Sequence, residues 1–130
     1  MNTLDEIREF FKKDRFATEN GMVIDEVGEG YAKCSLTICD RHKNAVGGVM
    51  GGVPFTLADF CYAVASNWKE PKWVSLSSQI AFLGTAKGQR LIAVANMIKS
   101  GRSTNYYEIR ITDELENLVA NVTITGFSKQ

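Results

Sequence analysis

The stretch Gly51–Asn67, reading GGVPFTLADFCYAVASN, decides the architecture. Val53, Phe55, Leu57, Ala58, Phe60, Cys61, Tyr62, Ala63, Val64 and Ala65 place apolar groups all around a helical wheel. A helix that is apolar on every side belongs inside a protein. Pro54 falls in the first turn, where its missing N–H leaves no bond unmade. Ser66-Asn67 and then Pro71 stop the helix. The pattern predicts a central buried helix over residues 51–67.

The flanks read as strands. Asn20-Gly21 signals a turn, and Met22-Val23-Ile24 with Val27 follows as a short strand. Gly28-Glu29-Gly30 breaks it. Ala32, Cys34, Leu36 and Ile38 then alternate with polar residues, the period of a half-buried strand. These two strands predict a hairpin. The segment 40–48 is polar and reads as a loop. After the helix, Trp73–Leu83 alternates only in part. In 89–99, Leu91, Ala93, Ala95 and Met97 share a face. In 104–112, Tyr107, Ile109 and Ile111 lie opposite Tyr106, Glu108 and Arg110. In 118–127, Leu118, Ala120, Val122, Ile124 and Gly126 share a face. Gly101 and Asn117 mark the turns between them. At the start, Thr3 and Glu6 form a capping box, and Leu4, Ile7, Phe10 and Phe11 recur at helical spacing. An extra N-terminal helix to about Lys13, within a segment 1–16, is expected. The order is helix, two strands, buried helix, four strands: an α+β domain of antiparallel strands around one long helix.

Composition narrows the function. The 130 residues suit one domain over 1–130, with no linker or repeat. Fifteen acidic and fifteen basic residues balance, without the basic cluster of a nucleic-acid binder. Near-zero net charge favours self-association. The first residues lack a signal-peptide pattern, and no apolar run is long enough to span a membrane. Cys34, Cys39 and Cys61 lack metal-site spacing and have only His42 for company. No metal site is expected, and the cysteines read as small buried thiols of a cytoplasmic protein.

Asp59 is the anomaly. It stands between Leu57-Ala58 and Phe60-Cys61, with no basic residue three or four positions away. An ionised carboxylate buried without a partner costs several kcal/mol. Either it bonds a hydroxyl or N–H elsewhere, or it lines a pocket as a base or nucleophile. The glycine-rich entry Gly47-Gly48-Val49-Met50-Gly51-Gly52 supports the second reading. Glycines let a ligand approach the backbone, and the free N–H groups of a helix start make an oxyanion site. Tight packing is the plainer explanation for glycine.

Asn44-Ala45-Val46-Gly47, Gly51-Gly52 and Leu57-Ala58-Asp59 together resemble a known signature. It is that of the phenylacetyl-CoA thioesterase-like (PaaI-like) group of hotdog-fold thioesterases, N-x-x-G-x-x-H-G-G followed by L-A-D. Ile98–Ser103 and Leu118-Val119-Ala120 are similar to later parts of that family. The resemblance implies a hotdog fold and hydrolysis of an acyl-CoA thioester, with coenzyme A entering only as part of the substrate. It implies Asp59 as general base or nucleophile, the Gly51 N–H as oxyanion donor and Asn44 as a positioning group. It also implies a strand hydroxyl from Ser75, Ser77 or Ser78, with Ser75 preferred. Family sites form between two chains, so a homodimer or homotetramer is expected, with Asp59 facing Asn44 and Gly51 of the other copy.

Met50 departs from the pattern, standing where the family has histidine. Met50 and Gly52 are taken as substrate-contacting residues. Arg90, Lys99 and Arg102 are candidates for the coenzyme A phosphates, and Phe55, Tyr62, Trp73 and Phe82 for an acyl tunnel. His42 is expected to shape its loop. A competing reading, motivated by Met50, is a non-catalytic acyl-CoA or acyl-ligand binding protein of the same fold. A hydratase-type enzyme is a third, disfavoured by the position of His42.

Overall fold

The structure, a computed structural model, describes residues 1–129. Its elements are α1 (Leu4–Phe11), α2 (Arg15–Glu19), β1 (Val23–Gly28), β2 (Tyr31–Thr37), α3 (Gly52–Asn67), β3 (Trp73–Phe82), β4 (Arg90–Ser100), β5 (Thr104–Asp113) and β6 (Leu118–Ser128). A single turn of 3-10 helix, Asp40–His42, lies between β2 and α3. The six strands form one antiparallel sheet in the order β1-β2-β4-β5-β6-β3, which leaves β1 and β3 at the edges. α3 lies across its concave face, the hotdog arrangement.

The predicted periodicities account for the core. Ala32, Cys34 and Leu36 of β2, Leu91, Ala93 and Ala95 of β4, Ile109 and Ile111 of β5 and Val122 and Ile124 of β6 are withdrawn from solvent. The alanines on β2 and β4 let the helix come close. Cys61 of α3 reaches both strands, its Sγ donating to the carbonyls of Ala32 (3.4 Å) and Ala93 (3.6 Å). Over β5 and β6 the spacing is set by Tyr62. Its hydroxyl donates to Asn105 Oδ1 at 3.0 Å, and its ring meets Tyr107 edge-on at 5.2 Å. This pair occupies the space above Gly126, where a Cβ would fall 1.7 Å from the Tyr62 oxygen. Only glycine fits there. Asn67 closes the helix by accepting from the N–H groups of Lys72 (2.9 Å) and Trp73 (2.8 Å) and donating to the Trp73 carbonyl (3.0 Å). That clamp turns the chain from α3 into β3.

Several expectations need correction. The N-terminal helix ends at Phe11, and a second, five-residue helix follows at Arg15–Glu19. It is too short to show a period in sequence. The capping box does form, with Glu6 N–H donating to Thr3 Oγ1 at 3.1 Å and Thr3 N–H to Glu6 Oε1 at 3.0 Å. Cys34 and Cys61 are buried, but Cys39 is exposed. Within one chain, α3 is not buried on every side. Gly52, Phe55 and Asp59 are exposed, and Thr56, Ala63 and Ser66 are half-buried. These positions recur every three or four residues, one stripe along the helix.

An unanticipated acidic pair ties the β3–β4 loop to the β5–β6 turn. Asp113 accepts from the N–H groups of Lys87, Gly88, Leu115 and Asn117 at 2.8–3.0 Å and from Asn117 Nδ2 at 2.9 Å. Glu114 accepts from the N–H groups of Gln89 and Arg90. These bonds, led by that from Asn117, hold the Asp113 carboxyl far below its usual range.

Candidate active site

The helix start and the carboxylate line different clefts in one chain. Asn44, Gly48, Gly51, Pro54 and Phe82 line a small cavity of about 210 Å³ at the N-terminus of α3. Asn44 shapes its own loop: its Oδ1 accepts from the N–H groups of Val46 and Gly48, both at 3.1 Å. Its carbonyl takes the Gly47 N–H, and Gly47 adopts the left-handed φ of 91° that this turn requires. The side-chain amide nitrogen is spared by both contacts. Gly51 lies under the Phe82 ring, where a Cβ would come within 3.1 Å of the ring carbons. Close packing thus explains part of the glycine signal. In the first turn the Val53 N–H donates to the Met50 carbonyl at 2.9 Å and Pro54 has none, so the oxyanion donors this helix start can offer are the N–H groups of Gly51 and Gly52.

Met50 lies over the same turn, 51% exposed, and a Cβ at Gly52 would fall 2.9 Å from its terminal methyl. The Met50 N–H donates to the His42 carbonyl at 2.9 Å. The His42 ring is buried and occupied by the chain: Nδ1 accepts from the Cys39 N–H at 3.0 Å, and Nε2 lies 2.7 Å from the Asn20 carbonyl. His42 therefore shapes its loop, as expected.

Asp59 stands two turns further along α3, about 12 Å by helical rise. It lines a second cleft of about 330 Å³ with Thr56, Phe60, Asp14 at the N-cap of α2, and Phe16 and Ala17 of that helix. The carboxylate is exposed in one chain, correcting the expectation of a buried Asp. Surrounding protein nevertheless raises its pKa, and the negative charge of Asp14 raises it further. Burial raises Asp14 as well. Two carboxylates in one cleft oppose each other's ionisation. Sequence reasoning did not single out Asp14; a short charged segment carries no signal that it will fold over the helix.

The serines resolve by register. Ser75 pairs with Gly126 and Ser78 with Ile124, both on the helix-facing side of β6. A bulge at Leu76 shifts the alternation, so Ser77 pairs with Thr125 and faces outward. All three serines are exposed on the edge strand.

The proposed phosphate contacts do not form one cluster. Arg90 begins β4, and its guanidinium donates to Ser35 Oγ at 2.8 Å. Lys99 lies near the other end of that strand, about 30 Å away by strand rise. Arg102 borders a separate cleft with Lys69, Lys72 and Trp73. Of the tunnel candidates, Tyr62 is core. Phe55 and Phe82 are exposed, and Trp73 is half-buried at the far end of α3.

The family model described as the thioesterase superfamily matches residues 46–120, more than half the chain, and the chain belongs to that superfamily. It is a PaaI-like thioester hydrolase. It is 30% identical over 111 residues to the acyl-coenzyme A thioesterase PaaI of Escherichia coli, covering 85% of this chain and 79% of that protein. The solved E. coli PaaI structure superposes with a TM-score of 0.87 at 25% identity, over 97% of this chain and 96% of that one. The 1,4-dihydroxy-2-naphthoyl-CoA hydrolase of Listeria monocytogenes is 30% identical over 102 residues, 76% of this chain and 83% of that protein. The Streptococcus mutans protein smu.793, solved with acetyl CoA bound, has a TM-score of 0.75 at 25% identity, covering 83% of this chain and 88% of that one. No helix among the described residues is long and apolar enough to cross a membrane.

Proposed function

We propose that the protein hydrolyses a small or medium acyl-CoA, aryl or aliphatic, at a site completed by a second copy of the chain. The observation that carries this is the separation of Asp59 from the Asn44–Gly51 cavity. One helix bears both, yet they line different clefts about 12 Å apart. Two antiparallel copies related by a two-fold axis would bring Asp59 of each against Asn44 and Gly51 of the other. The β3 edge, with Leu76 and Phe82 exposed, is the natural seam for such a dimer. Doubling it to a tetramer is compatible with the same site.

In this reading the thioester oxygen accepts from the Gly51 N–H, with Gly52 and Met50 against the substrate. Asn44 Nδ2 and the Ser75 hydroxyl orient the carbonyl and the water. Asp59 takes a proton from water as it adds to the carbonyl carbon. The tetrahedral intermediate collapses, the C–S bond breaks, and the proton passes to the coenzyme A sulfur. Alternatively Asp59 attacks the carbonyl carbon itself: the C–S bond breaks, coenzyme A leaves as the thiolate, and water opens the resulting anhydride, regenerating the Asp59 carboxylate and giving its proton to the coenzyme A sulfur. Neither route requires a metal or a cofactor beyond the substrate's own coenzyme A. Arg90, Lys99 and Arg102 are placed to meet phosphate only where assembly brings one of them to a site mouth. The setting is cytoplasmic, where acyl-CoA is made and spent.

The test is complementation. Asp59→Asn and Asn44→Ala are each assayed alone on an acyl-CoA panel, then after mixing and subunit exchange. A shared site predicts recovery to about a quarter of wild-type activity, since half the dimers are mixed and each carries one intact site. Two inactive variants that stay inactive after verified exchange would show that each site lies within one chain.

A further inference from the structure

We infer that Phe60 sets the upper limit on acyl length, by walling the Asp59 cleft off from a larger cavity behind it. This rests on the reading of the Asp59 cleft as the acyl site. The larger cavity, about 640 Å³, lies between α1, α2 and β1. Its apolar lining is Phe11, Met22, Val23, Ile24 and Phe60, and Arg8, Lys12 and Asp25 stand around it. Among the described residues, Phe60 alone lines both spaces. It is 2% exposed and is held in place by Phe11, whose ring meets it edge-on at 6.2 Å. α2 roofs the partition: Arg15, Phe16 and Ala17 face the Asp59 side, Thr18 and Glu19 the other.

The volumes make the partition consequential. The Asp59 cleft, about 330 Å³, is at the small end of ligand pockets, which run from roughly 300 to 1,000 Å³. Joined to its neighbour it would become a large one. An acyl group bound at Asp59 therefore ends against the Phe60 ring. A long chain has to stay in water or displace a packed aromatic, and close-packed interiors resist that.

The experiment compares kcat/KM for butyryl-CoA and lauroyl-CoA in wild type, Phe60→Leu and Phe60→Ala, with thermal unfolding as the check on folding. Wild type should favour butyryl-CoA. Phe60→Ala should raise the lauroyl-to-butyryl ratio by about tenfold or more, since each methylene taken out of water multiplies affinity roughly fourfold. Phe60→Leu, which keeps more of the packing with Phe11, should move it the same way by less and guards against an Ala variant that does not fold. Adding Val23→Trp, which fills the opened cavity from β1, should cancel the gain. An unchanged ratio in a folded variant, or a loss by the same factor on both substrates, overturns the inference. So does a wild type that already accepts both chains equally. Wild type inactive on every acyl-CoA would fell the underlying reading first, and is distinguishable because no variant is needed to see it.

Discussion

On the inner side of α3, Leu57, Ala58, Cys61, Tyr62 and Val64 are withdrawn from solvent, and the helix meets all six strands of the sheet. On its outer side, Gly52, Phe55 and Asp59 stand exposed beside the edge strand β3 and the short helix α2. The inner side has every polar atom occupied: Tyr62 on Asn105, Cys61 on two carbonyls. The outer side carries a carboxylate whose charge is opposed by both burial and Asp14. The same helix thus holds the fold with one face and leaves chemistry unspent on the other. Substitutions on the two faces should fail differently, one in stability and one in turnover.

The largest expected effect is on the outer face. Asp59→Asn should lower acyl-CoA turnover by about two to four orders of magnitude, the range for a positioned base or nucleophile. The fold should not suffer. The Asp59 pKa is raised in the folded chain, so its favourable state is present below the unfolded value of about 4 and is lost as pH rises through the folded value. A neutral amide removes that loss, and denaturant unfolding at pH 7 should show equal or slightly greater stability. Unchanged turnover in a folded variant would make Asp59 structural and erase the contrast between the faces.

Gly126→Ala probes the inner face. The new methyl would collide with the Tyr62 hydroxyl and Asn105, and overpacking of this kind costs about 1–3 kcal/mol. Chemical denaturation should show that loss, with turnover per folded molecule retained. A stable variant with impaired turnover would mean that the two faces are coupled through Tyr62.

Met50→His tests the helix start and should do less. A hydrogen bond to the thioester from an added imidazole is worth about 0.5–1.5 kcal/mol, a factor of roughly 2–10 in kcat. A raised KM without gain in kcat would instead mark Met50 as a substrate contact, using its flexible, polarisable side chain.

The smallest effect is Asp14→Asn. Removing its negative charge should lower the Asp59 pKa, so the acid limb of the kcat/KM profile should move to lower pH. A limb that stays in place would show that burial alone raises Asp59.

Much of the fold was legible in the chain because it rests on periodicity. Two-residue alternation in 104–112 and 118–127, all-round apolarity in 51–67 and the Thr3–Glu6 box are local patterns that burial and capping impose directly. α2 was not legible, since five residues cannot display a helical period. Nor was the bulge at Leu76, which puts Ser75 and Ser78 on the helix side and Ser77 on the other. Alternation read straight through 75–78 would put Ser75 and Ser77 together.

For the site, the chain itself determined which groups are unusual: a lone Asp59 among apolar neighbours, a glycine-rich helix entry, an Asn44 at family spacing and a Met50 out of pattern. These are properties of neighbours along the sequence. Only the tertiary structure decided what surrounds them. It put Asp14 beside Asp59, Phe82 over Gly51 and Phe60 between two cavities, and it sent Arg90 and Lys99 to opposite ends of one strand. The reason is physical. Burial pattern follows from side-chain chemistry at short range, whereas a pKa, a wall or a phosphate cluster depends on through-space distances that the strand order β1-β2-β4-β5-β6-β3 sets between residues remote in the chain.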